Sequence, residues 1–175
     1  LELVIQMTDV SLFIGRFQPF HKGHLFVLQQ CTTDLIYIGI GSSQYHHTFE
    51  NPFTFDERKQ MIQLALSQDF DTKFDIYAVP DIHDPPNWVA HVQKLLPPFS
   101  TVLTNNEWTA DLFKEKGYTI KKPGLYNRQH CMGKKIRLRM IKKEPWQHLV
   151  PGTVAKYLEG INAEKRMQML TLEKD

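Results

Sequence analysis

From residue 8 to about residue 122, short apolar runs alternate with helix-patterned stretches, and that alternation leaves very few architectures open to the chain. Val10 to Ile14 reads as a buried strand and Gly23 to Cys31 as the helix after it. Leu35 to Ile40 is a second strand, nearly continuous in apolar residues, as helices on both faces of a sheet require. Thr54-Phe55-Asp56-Glu57 is a capping box, and Met61, Ile62, Leu64, Ala65 and Leu66 continue an amphipathic helix. Phe74 to Val79 alternates at period two, and Trp88 to Leu96 follows at helical spacing, stopped by Pro97-Pro98. Thr101 to Thr104, the helix Glu107 to Lys116 with Gly117 as its C′ residue, and Tyr118 to Lys121 complete the series. Strands that each lead into a helix give an α/β, Rossmann-like, doubly wound parallel sheet of five strands with right-handed crossovers. Beyond Pro123 the pattern turns to helices only, near Lys134 to Lys143 and Thr153 to Glu159, then a polar tail. The reading is one domain over 1–175: a core of about 8–122 and a helical C-terminal portion of about 123–175.

Composition sets limits rather than a function. The 42% apolar and 23% charged shares are ordinary for a soluble domain, and a net charge of +2 names no partner. No window approaches the roughly 18 apolar residues of a membrane span. Leu1 to Gln6 lacks the basic start of a secretory signal and reads as a short extension, with Met7 an alternative start. Cys31, on a helix, and Cys131, in a loop, lie in no metal-ligand spacing, so both are expected to be reduced thiols in a cytoplasmic protein.

Chemistry concentrates where the first strand ends, in Gly15-Arg16-Phe17-Gln18-Pro19-Phe20-His21-Lys22-Gly23-His24. A strand ending in glycine and a basic residue, turning through proline into His-x-Gly-His at a helix start, is a nucleotide-phosphate site. The helix start offers unpaired N–H groups and a positive dipole end. His21 and His24, one turn apart, face the same way and can both donate to phosphate oxygens. Gly23 removes a Cβ that would keep phosphates from the backbone. Neither Gly-x-x-x-x-Gly-Lys-Ser/Thr nor Gly-x-Gly-x-x-Gly is present, which argues against a P-loop enzyme and a dinucleotide-dependent dehydrogenase.

Three further stretches follow strand ends or helix starts. Gly41-Ser42-Ser43-Gln44 places small residues where a ligand crevice needs them. The adjoining Tyr45-His46-His47 has no carboxylate or cysteine at ligand spacing and is not read as a metal site. In Pro80-Asp81-Ile82-His83-Asp84-Pro85-Pro86-Asn87-Trp88-Val89, Trp88 is either a core anchor or a stacking platform for a flat ring; its place after a strand's carboxyl end favours the platform. Lys121, Lys122, Arg128, Lys134, Lys135, Arg137, Arg139, Lys142 and Lys143 form a basic run with no acid among them. A polyphosphate clamp and a nucleic-acid surface compete to explain it. Only Tyr126 interleaves and the remaining charges nearly cancel, so a compact ligand such as ATP is the more economical reading.

Assembled, these residues resemble the archaeal-type nicotinamide-nucleotide adenylyltransferases of the nucleotidylyltransferase superfamily. The resemblance runs from Phe13 to about Met169. It is carried by Gly15 to His24, Gly-Ser-Ser-Gln, Asn51-Pro52-Phe53-Thr54 with Glu57-Arg58, Pro-Asp-Ile with Asn-Trp-Val, and Thr104-Asn105-Asn106. Leu125-Tyr126-Asn127-Arg128, Ile136-Arg137-Leu138-Arg139-Met140 and Trp146 to Pro151 continue it. The resemblance implies transfer of AMP from ATP to nicotinamide mononucleotide (NMN), giving NAD and pyrophosphate, with no membrane or nucleic-acid partner. It implies a homo-oligomer, often a hexamer. His21, His24, Arg16 and Arg137 would meet the triphosphate, with Gly15, Phe17, Gly23, Gly133 and Lys134 around it. Ser42, Asp81, Ile82, Trp88, Asn105 and Asn106 would line the NMN side. Mg²⁺ would bind through the substrate phosphates rather than in a carboxylate cage.

The family usually has Ser-Gly-Thr where this chain reads Met132-Gly133-Lys134, so both hydroxyl donors are replaced. Three rivals are compatible with the residues: another superfamily activity such as phosphopantetheine adenylyltransferase, a non-catalytic nucleotide-binding module, and a nucleic-acid-binding module using the basic run.

Overall fold

The computed structural model describes residues 8–124, 126 and 131–172. Strand β1 (Val10–Gly15) is central, pairing in parallel with β2 (Leu35–Gly41) on one side and β4 (Thr101–Leu103) on the other. Strands β3 (Lys73–Val79) and β5 (Thr119–Lys121) complete a five-stranded parallel sheet of order β3-β2-β1-β4-β5. Helices α1 (Lys22–Gln29), α2 (Phe55–Ala65), α3 (Trp88–Leu95) and α4 (Glu107–Glu115) alternate with the strands. Helices α5 (Gly133–Lys142), α6 (Gly152–Gly160) and α7 (Ala163–Leu172) follow the sheet.

The period-two alternation of the strands sorts side chains onto two faces. Ile36, Ile38 and Ile40 of β2 join Val27 and Leu28 of α1, Met61 and Ile62 of α2, and residues of α5, α6 and α7 in one buried cluster. Each buried isoleucine there contributes roughly 2 kcal/mol. Val10 and Leu12 of β1, Tyr37 and Val102 turn the other way, onto Val89 and Val92 of α3 and Phe113 of α4. The winding therefore reverses between β1 and β4, and their carboxyl ends open a crevice there.

Helix boundaries follow their local chemistry. In the capping box of α2, Thr54 Oγ1 accepts from Glu57 N–H at 3.1 Å, and Glu57 Oε2 accepts from Thr54 N–H at 2.9 Å. Leu96 leaves α3 in extended conformation (φ −114°, ψ 149°), as a residue before proline must. Gly117 closes α4 at φ +86°.

Two expectations change. The polar tail is the helix α7, whose Ala163, Met167 and Leu170 recur at helical spacing and are buried. Its polar residues are also tied down: Arg166 forks onto Glu57 at 2.6 and 2.7 Å, and Glu164 accepts from the buried Trp146 Nε1 at 2.6 Å. Cys31 lies just past the end of α1 rather than on it, and both cysteines are free. Residues 1–6, Met7, and Leu125, Asn127 and Arg128 lie outside the described residues. Among those described, no helix is long and apolar enough to cross a membrane.

Candidate active site

The loop after β1 is held from three sides. The Gln18 side chain clasps Phe53, donating to its carbonyl at 3.1 Å and accepting from its N–H at 2.9 Å. The Gln18 carbonyl accepts from Arg137 Nη1 at 2.7 Å. Arg58, wholly buried, donates to the carbonyls of Arg16 at 3.0 Å and Gly41 at 2.8 Å, and to those of Ser42 and Thr54 at 3.2 Å each. It thereby ties the ends of β1 and β2 together. Burial lowers its pKa to about 10, with Arg16 nearby acting in the same direction.

His21 is the N-cap of α1 and His24 its third residue, and together they form a capping box. His21 Nδ1 accepts from the Gly23 N–H, and His24 Nδ1 accepts from the His21 N–H, both at 3.1 Å. Burial lowers His21 to about pKa 4. Burial, and then the neighbouring His21, hold His24 well below the ordinary imidazole range. Both rings are therefore neutral near pH 7, and with each Nδ1 accepting, each proton must sit on Nε2. The rings stack at 3.6 Å and 23°, so the pair presents two neutral N–H donors side by side. Phe17 and Phe20 enclose His24 from behind, at 4.8 and 5.4 Å between ring centres.

This corrects two expectations. The N–H groups at the start of α1 are not all free, because Gly23 donates to His21 Nδ1 and His24 to the His21 carbonyl. The absent side chain of Gly23 makes room for a protein group: a Cβ there would lie 2.9 Å from the His21 ring.

Helix α5 forms the opposite wall. Its N-cap, Met132, makes no side-chain capping bond, and the start of the helix lines the cleft. At Gly133 a Cβ would stand 2.9 Å from the Gln18 carbonyl oxygen and 3.2 Å from Arg137 Nη1, so glycine lets α5 dock there. Arg137, 3% exposed, lies 3.5 Å from Glu50. Its Nε has no partner among the described residues. Arg16, Phe17, Gln18, His21, His24, Glu50, Met132, Gly133, Lys134 and Arg137 line a cleft of about 260 Å³. An adjoining pocket of about 230 Å³, at the reversal of the sheet winding, reaches Gly15, Gly23, Thr104, Asn105, Asn106 and Cys131.

The remaining predicted residues fall around this crevice. Ser42 Oγ donates to Asp81 at 2.7 Å, and the Gln44 amide makes two bonds to the Asp81 backbone, at 2.9 and 3.0 Å, joining the ends of β2 and β3. Ile82 is exposed beside them. Asn105 and Asn106 reach the smaller pocket, but their side chains are engaged within the protein. Asn105 forms two bonds with Gly124, and Asn106 caps α4. Trp88 is both anchor and surface: half-buried, it meets Phe113 edge-on at 5.5 Å and the exposed Trp108 at 5.7 Å. In the adjoining loop Tyr45 bonds His83 at 2.7 Å and His46 bonds His47 at 2.9 Å. Of the basic run, Lys122 pairs with Glu107 and Lys121 with Thr32.

Sequence reasoning missed Gln18, Glu50 and Trp108, and quoted Arg58 without giving it a task. Only Glu50 left a signal, an acid preceding the capped α2 beside a basic cleft. The others depend mainly on partners that only the fold brings close, such as Phe53 for Gln18 and the carbonyls of Arg16 and Gly41 for Arg58.

Comparison with known proteins gives the family and the fold. The cytidylyltransferase-like family model matches residues 12–150. A nicotinamide-nucleotide adenylyltransferase of Methanococcus maripaludis (strain C5) is 46% identical over 94% of this chain and 96% of its own length. The protein of the same name from Pyrococcus horikoshii is 42% identical over 91% of this chain and 88% of its own. A Francisella tularensis bifunctional NMN adenylyltransferase/ADP-ribose pyrophosphatase, solved with AMP and a manganese ion, superposes with a TM-score of 0.76 at 25% identity. The alignment covers 96% of this chain but about half of that protein (53%).

Proposed function

Because the chain belongs to the cytidylyltransferase-like family, alongside the archaeal nicotinamide-nucleotide adenylyltransferases it matches nearly end to end, we propose that it transfers AMP from ATP to NMN, forming NAD. The observation that carries the reading is the pair of neutral, stacked imidazoles facing Arg137 across a cleft at the reversal of the sheet winding.

An oxygen of the NMN phosphate attacks the α-phosphorus of ATP. The bond from that phosphorus to the bridging oxygen of the β-phosphate breaks, and pyrophosphate leaves. No protein nucleophile is required; the reaction needs alignment and donors aimed at the developing charge. The Nε2–H groups of His21 and His24 donate to the α- and β-phosphates. Arg16 and Arg137 supply cationic contacts, and Gly15, Phe17, Gly23, Gly133 and Lys134 shape the cleft. Neutral rings suit this task, since they bond an anion without the cost of burying a charge beside Arg137.

The groups lining the cleft are imidazole N–H, guanidinium and ammonium donors with a single carboxylate, too few acid ligands for a protein-held cation and suited to one carried in on the phosphates. We assign that cation as Mg²⁺, which neutralises charge on the triphosphate when bound. Across the crevice, Trp88 offers a flat face to the nicotinamide ring, with Ser42, Asp81, Ile82, Asn105 and Asn106 around the acceptor. The working protein is read as a homo-oligomer, with a hexamer one candidate, which sedimentation tests.

Pyrophosphate release with ATP plus NMN, set beside ATP plus phosphopantetheine, tests the assignment. Release with NMN alone is the expected result. Release only with phosphopantetheine moves the acceptor elsewhere in the superfamily. Tight ATP binding without release from any acceptor makes the chain a nucleotide-binding module.

A further inference from the structure

A carboxylate in a cleft built for phosphates needs a reason. Glu50 is the one acid lining that cleft among the described residues. One of its oxygens lies 3.5 Å from Arg137 Nη2, with the acid side chain 56% exposed and the guanidinium 3% exposed. The other contacts of Arg137 carry no charge: Nη1 bonds the Gln18 carbonyl, the guanidinium lies 6.0 Å from the Phe49 ring, and Nε is unpartnered among the described residues. Among the described residues the buried charge is met by Glu50 alone, at a separation too long for a good hydrogen bond and from the solvent side. That is a loose, displaceable pairing.

A phosphate that reaches Arg137 takes over this partner and leaves the carboxylate beside it. The repulsion that follows scales with the charge brought in. A triphosphate carrying a divalent cation brings two fewer negative charges than a bare one, so the carboxylate opposes it less.

We propose, building on the reading of this cleft as an ATP site, that Glu50 sets its selectivity. It holds Arg137 while the cleft is empty and disfavours bare triphosphate relative to the cation-bearing form. Lining the cleft at the loop before α2, it is a specificity-determining residue and takes no part in the bond changes.

Calorimetric titration of the whole chain with ATP, in EDTA and in excess Mg²⁺, tests this. Glu50→Gln should tighten metal-free ATP about tenfold and Mg-ATP by no more than about threefold, the size expected for a partly exposed charge. Glu115→Gln, on the last turn of α4, makes the same change in net charge away from the cleft and should leave both affinities unchanged. Equal tightening in both conditions, no tightening in either, or the same gain from Glu115→Gln would overturn the role of Glu50 while the ATP reading stands. Absence of ATP binding to the unaltered chain in both conditions would overturn both.

Discussion

The two walls of the phosphate cleft are built on opposite plans. The α1 wall is largely closed on itself: the N–H groups of His21 and Gly23 are spent on imidazole nitrogens and that of His24 on the His21 carbonyl, and the rings turn their own N–H groups outward instead. The α5 wall is open, with an N-cap residue that makes no side-chain capping bond and, among the described residues, an arginine Nε without a partner and a half-exposed acid as that arginine's one counter-charge. On the proposed reading, the first wall fixes orientation and the second supplies charge. The lesson is that two helix starts facing one ligand need not offer it the same groups.

Breaking the first wall should have the largest effect. His24→Ala removes one oriented donor and should lower turnover on the order of a hundredfold with the fold intact by circular dichroism. An enzyme of full rate would remove the histidine pair from the chemistry.

Acid tests the same wall through stability. Both imidazoles have folded pKa values below the ordinary 6.5, His21 at about 4. The folded state thus binds fewer protons than the unfolded chain in that interval. Stability is undiminished above pH 6.5 and falls as pH drops toward 4, by about 3 kcal/mol for His21. Denaturant titrations across this range should show the fall, and His21→Asn should flatten it.

Gly133→Ala carries the comparison to the second wall. Its Cβ would press on a backbone carbonyl, which cannot swing aside, and so push α5 off the Gln18 loop. The KM for ATP should rise about tenfold, with a smaller change in the KM for NMN. Steady-state kinetics with each substrate varied in turn separate the two.

The smallest effect is a gain. Met132→Ser puts a capping hydroxyl at an N-cap already in extended conformation (φ −128°, ψ 133°) and should stabilise the fold by about 1 kcal/mol. Thermal unfolding would measure it. An unchanged melting temperature would mean that the leading N–H groups of α5 are already satisfied.

These cases also mark what one-dimensional reading reaches. Strand periodicity, the Thr54 capping box and the His-x-Gly-His turn are local, so β1 through α4 and the place of His21 and His24 were legible. Helix α7 was not, because its buried face is Ala163, Met167 and Leu170 among charged neighbours, a pattern that looks polar until Arg166 finds Glu57. The use of His21 as a helix cap escaped notice because that position ordinarily holds Ser, Thr, Asp or Asn. Asn105 and Asn106 line the crevice, as their position after β4 implies, but nothing in the chain announces that Gly124 and α4 occupy their amides. Gln18 and Arg58 act on backbone groups, and no residue-type pattern encodes a carbonyl.

Arg58 has one more consequence. Among the described residues its hydrogen bonds all go to carbonyls, and the carboxylate that acts on it, Glu57, is already forked by Arg166, so the positive charge at the centre of the sheet's carboxyl edge is only partly offset. A bound polyanion would then offset charge that the fold itself leaves over. By mass action, occupancy by a polyanion should raise the melting temperature, and the protein would be most easily unfolded when nucleotide is scarce.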